Sequence, residues 1–273
     1  MHKVESARPS PQFLDCLATA GDHLERLCSK AIREHGYFFR WLKSDVPQAP
    51  CLEHISFFLG NQVFFVRLYD VEQRHAFPGT PAGLRRIAEG YEGHACLMPM
   101  RRTIIEQTDG AARVRGARDI GMFVPDAQKQ WQPVRPGWGL VGLDGETIEP
   151  PALVTNQRIA VTDWELHDFA VQIVREQLQQ EGKQILSWNS DPDVHPDLWF
   201  EEGGLRAWVM VQANCFPEPT PEHPDPQLEQ RIKANIPAEF PGYFAAVGFA
   251  QQHTTRIFRG EGTMVNFRGL RAL

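Results

Sequence analysis

The sequence predicts an α+β fold of two pseudo-symmetric halves that arose by internal duplication. Each half is expected to be a mixed or antiparallel sheet with helices packed on one face. Two landmark pairs recur at one spacing: Gly36 and Gly182 each follow a helical pattern, Pro50 and Pro196 each precede a strand pattern, and both pairs lie 146 positions apart. The helices that end at these glycines also share the phase of their apolar residues, so the similarity extends beyond isolated landmarks.

The two long helices are the best-marked elements. In the second half Thr162 is an N-cap with Glu165 three residues later, which is a capping box, and Gly182 supplies the left-handed end. In the first half the pair Ser10 and Pro11 starts a helix that ends at Gly36. The apolar stripe of the second helix, and the positions 146 residues before it, are Leu166, Phe169, Ala170, Ile173, Val174 and Leu178, and Ala20, His23, Leu24, Leu27, Cys28 and Ile32.

Three strands, a shorter helix and three further strands are expected to follow each long helix. In the first half these are strands at 37–42, 54–59 and 63–69, a helix at 81–91, a strand at 94–100, and a final pair at 112–115 and 120–124. In the second half they are strands at 184–188, 197–201 and 206–215, a helix at 226–236, a strand at 243–250, and a final pair at 255–259 and 264–268.

A segment rich in proline and glycine separates the halves. It carries Trp131 and Trp138, and the turn signal at 143–146 predicts an ordered hairpin rather than a flexible linker. The predicted organisation is therefore a first half over 1–125, a hairpin connector over 126–162 and a second half over 163–273.

Composition excludes several classes of protein. Of 273 residues 42% are hydrophobic and 23% charged, and the net charge is −6. This acidity argues against nucleic acid as a partner, because binding to phosphates needs positive charge. The N-terminal residues lack the apolar core of a secretory signal, no stretch is long and apolar enough for a membrane span, and the five cysteines form no CxxC pair. We expect a cytoplasmic protein with reduced thiols.

The densest polar cluster follows the first strand of the second half. It comprises Trp188, Asp191, Asp193, His195, Asp197 and Trp199. These side chains could hold a metal or line a ligand cleft, whereas an EF-hand is excluded by the absence of the required glycine and glutamate. The alternative is a strand-connecting loop that uses aspartate and proline for its turns.

The order helix, three strands, helix, strand resembles the core of the PD-(D/E)XK nuclease superfamily, over about 80 residues of each half. That resemblance implies a metal held by an aspartate and by an acid that precedes a lysine on the next strand. Asp197 fits the first position, but the next strand reads Trp208 to Gln212 with neither acid nor lysine. In the first half the same spacing falls on Cys51 and on 64–66. Neither half can assemble the metal site of that superfamily.

Other catalytic patterns are absent from the sequence. There is no GxSxG, GxGxxG or Walker loop. Cys51 and His54 would point to opposite faces of a strand. Glu165, His167 and Asp168 are expected on the start or outer side of their helix, where a charged first turn accounts for the acids.

These observations predict a non-catalytic cytoplasmic protein that masks or positions another protein, with no cofactor. Its partner would be a different protein or a second copy of itself. We expect Trp131, Trp138, Trp188 and Trp199 to be exposed and to pack across the halves or against that partner. The alternative is a small-ligand or metal-binding protein, such as a hydrolase, with its site at the loop over 191–197.

Overall fold

The computed structural model describes residues 9–43, 51–104 and 129–273, and it confirms an α+β fold of two similar halves. Each half contains one mixed sheet with helices against it. Within the described residues the first sheet has seven strands and the second has six. The predicted final strand pair at 112–115 and 120–124 lies outside the described residues.

Local capping signals place the helices. The described helices are α1 (Pro11–His35), α2 (Pro81–Gly90), α3 (Pro150–Leu153), α4 (Asp163–Gln180) and α5 (Pro226–Lys233). The Ser10 side chain accepts a hydrogen bond at the start of α1, and Thr162 and Glu165 form the full capping box of α4. Gly36 adopts the left-handed conformation that ends α1.

The first sheet combines an antiparallel meander with a parallel crossover. Its strands are β1 (Phe39–Lys43), β2 (Ile55–Leu59), β3 (Gln62–Asp70), β4 (His94–Ile104), β5 (Lys129–Pro133), β6 (Leu140–Val141) and β7 (Thr147–Ile148). Strands β1, β2 and β3 are antiparallel neighbours, and α2 carries the chain across to β4, which pairs with β3 in parallel. The strands of the connector, β5, β6 and β7, extend this sheet beyond β4.

The second sheet repeats this topology. Its strands are β8 (Gln184–Trp188), β9 (Leu198–Glu202), β10 (Leu205–Cys215), β11 (Gly242–Ala250), β12 (Met264–Phe267) and β13 (Arg271–Ala272). Strands β8, β9 and β10 form the meander, α5 makes the crossover, and β11 is parallel to β10. Residues 255–259, predicted as a strand, make only an isolated bridge between Phe258 and Ala160.

The duplication is visible in individual hydrogen bonds of the strands. The backbone N–H of His54 donates to Val66 O at 2.9 Å, and that of Asp197 donates to Val209 O at 3.0 Å. The same two side chains then accept from the backbone N–H groups of Leu68 and Val211, at 2.9 and 2.8 Å. His54 is therefore the structural counterpart of Asp197.

This register corrects the correspondence between the two halves that was predicted from the sequence. The counterpart of Asp197 predicted from the spacing of the glycines is Cys51, which lies three positions too early. The second and third strands of the two halves correspond at an offset of 143 (Val209 against Val66), three residues shorter than the spacing of the two glycines.

The cores show how the helices cover the sheets. Helix α1 packs with Phe57 and Phe64 on one face of the first sheet, whereas α2 packs with Phe58 and Phe65 on the other. In the second half α4 and α5 likewise lie on opposite faces. The fold class is confirmed, and this detail refines it, because the helices of each half cover two faces instead of one.

Two connector tryptophans that were predicted to be exposed are buried. Trp131 and Trp138 belong to the core under α1. The prediction was wrong because the connector strands join the first sheet, so their large side chains complete its core.

Candidate functional site between the two halves

The halves meet where the end of α2 contacts the start of α4. The indole ring of Trp164 packs against Gly90, where an added Cβ would lie 2.0 Å from Trp164 Cε3. The hydroxyl of Thr162 donates to Gly90 O at 2.8 Å. Only glycine fits at position 90, so the contact between the two helices depends on this residue.

A buried ion pair lies behind that contact. The guanidinium of Arg259 donates from Nε and Nη2 to the two carboxylate oxygens of Glu165, at 2.9 and 2.8 Å. It also donates to the backbone oxygen of Tyr91 in the first half. The exposed fractions of the Arg259 and Glu165 side chains are 1% and 0%. Burial raises the pKa of Glu165, and the charge and hydrogen bonds of Arg259 oppose this rise.

A second buried contact joins the halves beside the ion pair. The Tyr91 hydroxyl donates to Asp168, which also accepts from the Gln172 side chain at 2.9 Å. Burial raises the pKa of Tyr91 well above its ordinary value, and the neighbouring Asp168 carboxylate raises it further. Tyr91 therefore stays protonated and remains a hydrogen-bond donor.

These contacts correct the prediction for the first turns of α4. Glu165, His167 and Asp168 were expected on its outer side, yet all three are buried. The capping pattern identifies where a helix begins, but it does not show which surfaces a second domain covers. Since α4 lies between its own sheet and the first half, it is buried on two sides.

The acidic loop of the second half reaches across to the first half. Arg86 of α2 donates to the carboxylates of Asp191 and Asp193, at 2.9 and 2.7 Å. Its guanidinium also lies 5.6 Å from the ring centre of Trp164. The hydrogen bond and charge of Asp191, with those of Asp193, raise the pKa of Arg86. Two of the proposed ligand groups therefore pair with a cation of the protein.

Asp197 is buried in the second half and accepts hydrogen bonds there. Its carboxylate accepts from His167 Nε2 at 3.0 Å and from Val211 N at 2.8 Å, and it lies 3.5 Å from His195 Nδ1. Burial favours the protonated form, but the hydrogen bonds and charges of the two histidines outweigh it and lower the pKa of Asp197. This carboxylate is a buried acceptor that positions the imidazole of His167, with the His195 ring close by.

The two tryptophans of the loop lie on different sides of the sheet. Trp188 is buried in the core under α4, with the Arg175 guanidinium 4.5 Å from its ring. Trp199 is half-buried and packs edge-on to Phe240 in the core under α5. The prediction that both are exposed was wrong, because alternate positions of neighbouring strands direct them into two separate cores.

The six predicted binding residues therefore do not line one surface. Asp191 and Asp193 lie at the junction of the halves, Asp197 and His195 lie inside the second half, and the tryptophans fill its two cores. Within residues 9–43, 51–104 and 129–273, no group of three or more His, Cys, Asp and Glu side chains is placed to hold a metal ion.

An open cleft between the halves is the feature that the sequence reasoning missed. Its volume is about 470 Å³, which is within the range of ligand pockets. Its walls are mostly apolar and come from the first half, from α4 and from the segment that leads into β12. The apolar side chains that line it are Phe38, Phe58, Val161, Phe169, Ile173, Phe249, Ile257, Phe258 and Val265.

The cleft is open to solvent between the edges of the two sheets. Strand β1 is the end strand of the first sheet and β12 that of the second. Phe38, next to β1, and Val265, on β12, line the cleft, and each is 49% exposed. Half-exposed apolar side chains around an apolar cavity are typical of a binding surface.

The charges of the cleft fall into two groups. Arg259 is neutralised by Glu165, and Glu261 is paired with Arg158 at 2.6 and 2.8 Å. Arg40 from the first half and Glu176 from α4 also line the cleft, and neither forms an ion pair with another described residue. Among the described residues, one positive and one negative charge without an ion-pair partner thus line the cleft from different halves.

Residues 164–273 match a family described as a domain of unknown function, DUF8840. The match begins near the start of α4 and includes the walls of the cleft that come from α4 and from the segment leading into β12. No curated protein and no solved structure matches the chain. Among the described helices, none combines the length and apolarity needed to cross a membrane.

Proposed function

We propose that this is a non-catalytic protein-interaction protein whose cleft between the halves binds an apolar segment of a partner protein. One observation carries the proposal: an open cavity of about 470 Å³ with apolar walls has Phe38 and Val265 half-exposed at its mouth. Burial of these side chains by a partner would contribute favourable free energy, at roughly 25 cal/mol for each Å² of apolar surface.

The chemistry of the walls favours binding over catalysis. The described lining contains no Cys, Ser, His or Lys side chain; its acids are Glu176 and Glu261, and its one hydroxyl, that of Thr263, donates to the backbone oxygen of Glu261 and not to a base. The buried Arg259 of the lining is neutralised by Glu165, which lies behind the wall. A cavity of this composition can accept an apolar group of a partner.

The alternative, a ligand or metal site at the loop over 191–197, has less support from the geometry. Asp191 and Asp193 are paired with Arg86, and Asp197 is paired with His167. A cation at this loop would have to displace those contacts.

Selection from a phage-displayed library of random peptides on the purified full chain tests the proposal. Peptides enriched on the wild-type protein should lose binding to Val265→Glu, which places a charge at the mouth of the cleft. Leu205→Glu is the matched control, since Leu205 is 57% exposed in a hairpin of the same half and does not line the cleft. Equal binding to both variants, or no enrichment at all, would contradict the proposed function.

A further inference from the structure

The position of the cleft beside β12 indicates how a partner could bind, on the basis of the function proposed above. Strand β12 pairs with β11 along one edge, and no described strand pairs with its other edge. Val265 of β12 lines the cleft, so this edge lies beside the opening between the halves, and such an edge can accept an added strand.

The side chains of β12 relate this edge to the cavity. Val265 and Phe267 are two positions apart and therefore lie on the same face of the sheet. Phe267 packs in the core under α4, and Val265 lines the cleft. The cavity thus adjoins the core of the second half beside β12, the end strand of its sheet. A strand added outside β12 would place alternate side chains in it.

Two charged side chains on other walls of the cleft provide charge complementarity. Arg40 on β1 and Glu176 on α4 face the cavity from different halves, without ion-pair partners among the described residues. The geometry points to one occupant: an extended segment of a partner protein that adds to the edge of β12, places alternate apolar side chains in the cleft, and carries an acidic group for Arg40 and a basic group for Glu176.

Synthetic octapeptides test this mode of binding. One set alternates Val or Phe with Thr between a charged residue at each end. Half of these peptides have Glu at the N-terminus and Lys at the C-terminus, and the other half have the reverse. A second set of the same composition has its apolar residues at helical spacing. We expect the alternating set to bind the full chain at least about tenfold more tightly, because only an extended segment can present alternate side chains to the cleft.

Backbone methylation of the peptide separates strand addition from simple apolar binding. Alternate residues of an added strand direct their N–H groups toward β12, so N-methylation of one alternate set should weaken binding about tenfold and that of the other set should not. Equal effects at both sets would overturn strand addition. If peptides with equal effects at both sets still lose binding to Val265→Glu, strand addition is wrong but the proposed binding in the cleft stands. If no peptide binds the wild type, both the strand addition and the proposed function are wrong.

Arg40→Glu tests the charge pattern without altering β12. This variant should prefer peptides whose terminal Glu is replaced by Lys, whereas the wild type should prefer the original set. Arg206→Glu, an exposed change in the hairpin of β9 and β10, is the control and should keep the wild-type preference. An unchanged preference in Arg40→Glu would overturn the assignment of the acidic group.

Discussion

Single residues at the junction of the halves combine local and long-range roles. Glu165 accepts a hydrogen bond from Thr162 N as part of the capping box, and its carboxylate also neutralises Arg259. The first role follows from the spacing of two residues in the sequence. The second involves a residue 94 positions away and depends on the tertiary fold, so no local pattern could predict it. The contact of Asp168 with Tyr91 likewise depends on the tertiary fold and on no local pattern.

Removal of Arg259 should destabilise the protein strongly. In Arg259→Leu the buried Glu165 carboxylate loses its counter-charge, and such losses cost about 3–5 kcal/mol. The pKa of Glu165 in the folded protein, already raised by burial, should rise further. The free energy of unfolding of the variant should therefore fall as the pH increases above the pKa that Glu165 has in the unfolded chain. Urea unfolding should therefore show a larger loss at pH 8 than at pH 5. The double variant with Glu165→Gln should recover part of the loss, and no recovery would contradict this account.

Asp197 should make stability depend on pH in the opposite sense. Its pKa in the folded protein is below the ordinary 3.8, so it contributes stability above that value, and this is lost as the pH falls toward the folded pKa. Asp197→Asn should cost about 1–3 kcal/mol at pH 7, because His167 loses a charged acceptor. As the pH is lowered from 5 to 3, the free energy of unfolding of the Asp197→Asn variant should also fall less than that of the wild type. Parallel slopes for the two proteins would show that Asp197 does not titrate as proposed.

At the scale of elements, the sequence predicts the order and ends of helices and strands because those features are local. Ser10, Thr162 and Gly36 act as the caps that their types and positions indicate. The tertiary surroundings of an element are harder to predict from the sequence. A loop with three aspartates is equally consistent with a metal site and with an ion-paired junction, and only the approach of Arg86 from another helix distinguishes them.

The contact between α2 and α4 should respond to one methyl group. Gly90→Ala forces a Cβ into the Trp164 ring and should destabilise the protein by about 1–3 kcal/mol. Gly21→Ala is the matched control, because Gly21 lies inside α1 and a Cβ there meets no atom within 4 Å. That change should stabilise the protein by about 0.5–1 kcal/mol through helix propensity. Chemical unfolding compares the two, and a shared sign would contradict the packing described.

The two carboxylates that bind Arg86 should differ in importance. The exposed fractions of the Asp191 and Asp193 side chains are 5% and 81%. Asp191→Ala should cost about 1–3 kcal/mol, because it also removes the buried acceptor of the Asp193 N–H. Asp193→Ala should cost less than about 1 kcal/mol. If the loop instead bound a cation, either change would leave stability without metal unchanged or improved, so thermal melts with and without chelator distinguish the two accounts.

At the scale of the whole molecule, repetition in the sequence predicts two similar halves but not how they are placed relative to each other. The halves share strand order and even single hydrogen bonds, such as those accepted by His54 and Asp197. The cleft arises from unlike surfaces, the edge of β1 in one half and the edge of β12 in the other. A repeat describes what the halves have in common, so a site formed by their differences could not be found from it. The division at 1–125, 126–162 and 163–273 stays a prediction.

The buried contacts across the junction should make the two halves unfold together. Glu165 with Arg259 and the Tyr91 backbone, Asp168 with Tyr91, and Gly90 with Trp164 all join surfaces that would be exposed if one half unfolded alone. Differential scanning calorimetry of the wild type should therefore show one transition, with equal calorimetric and van't Hoff enthalpies. Gly90→Ala weakens this junction, because the added Cβ displaces Trp164, so its transition should broaden or separate into two. Gly21→Ala should keep a single transition, and two transitions in the wild type would show that the junction does not couple the halves.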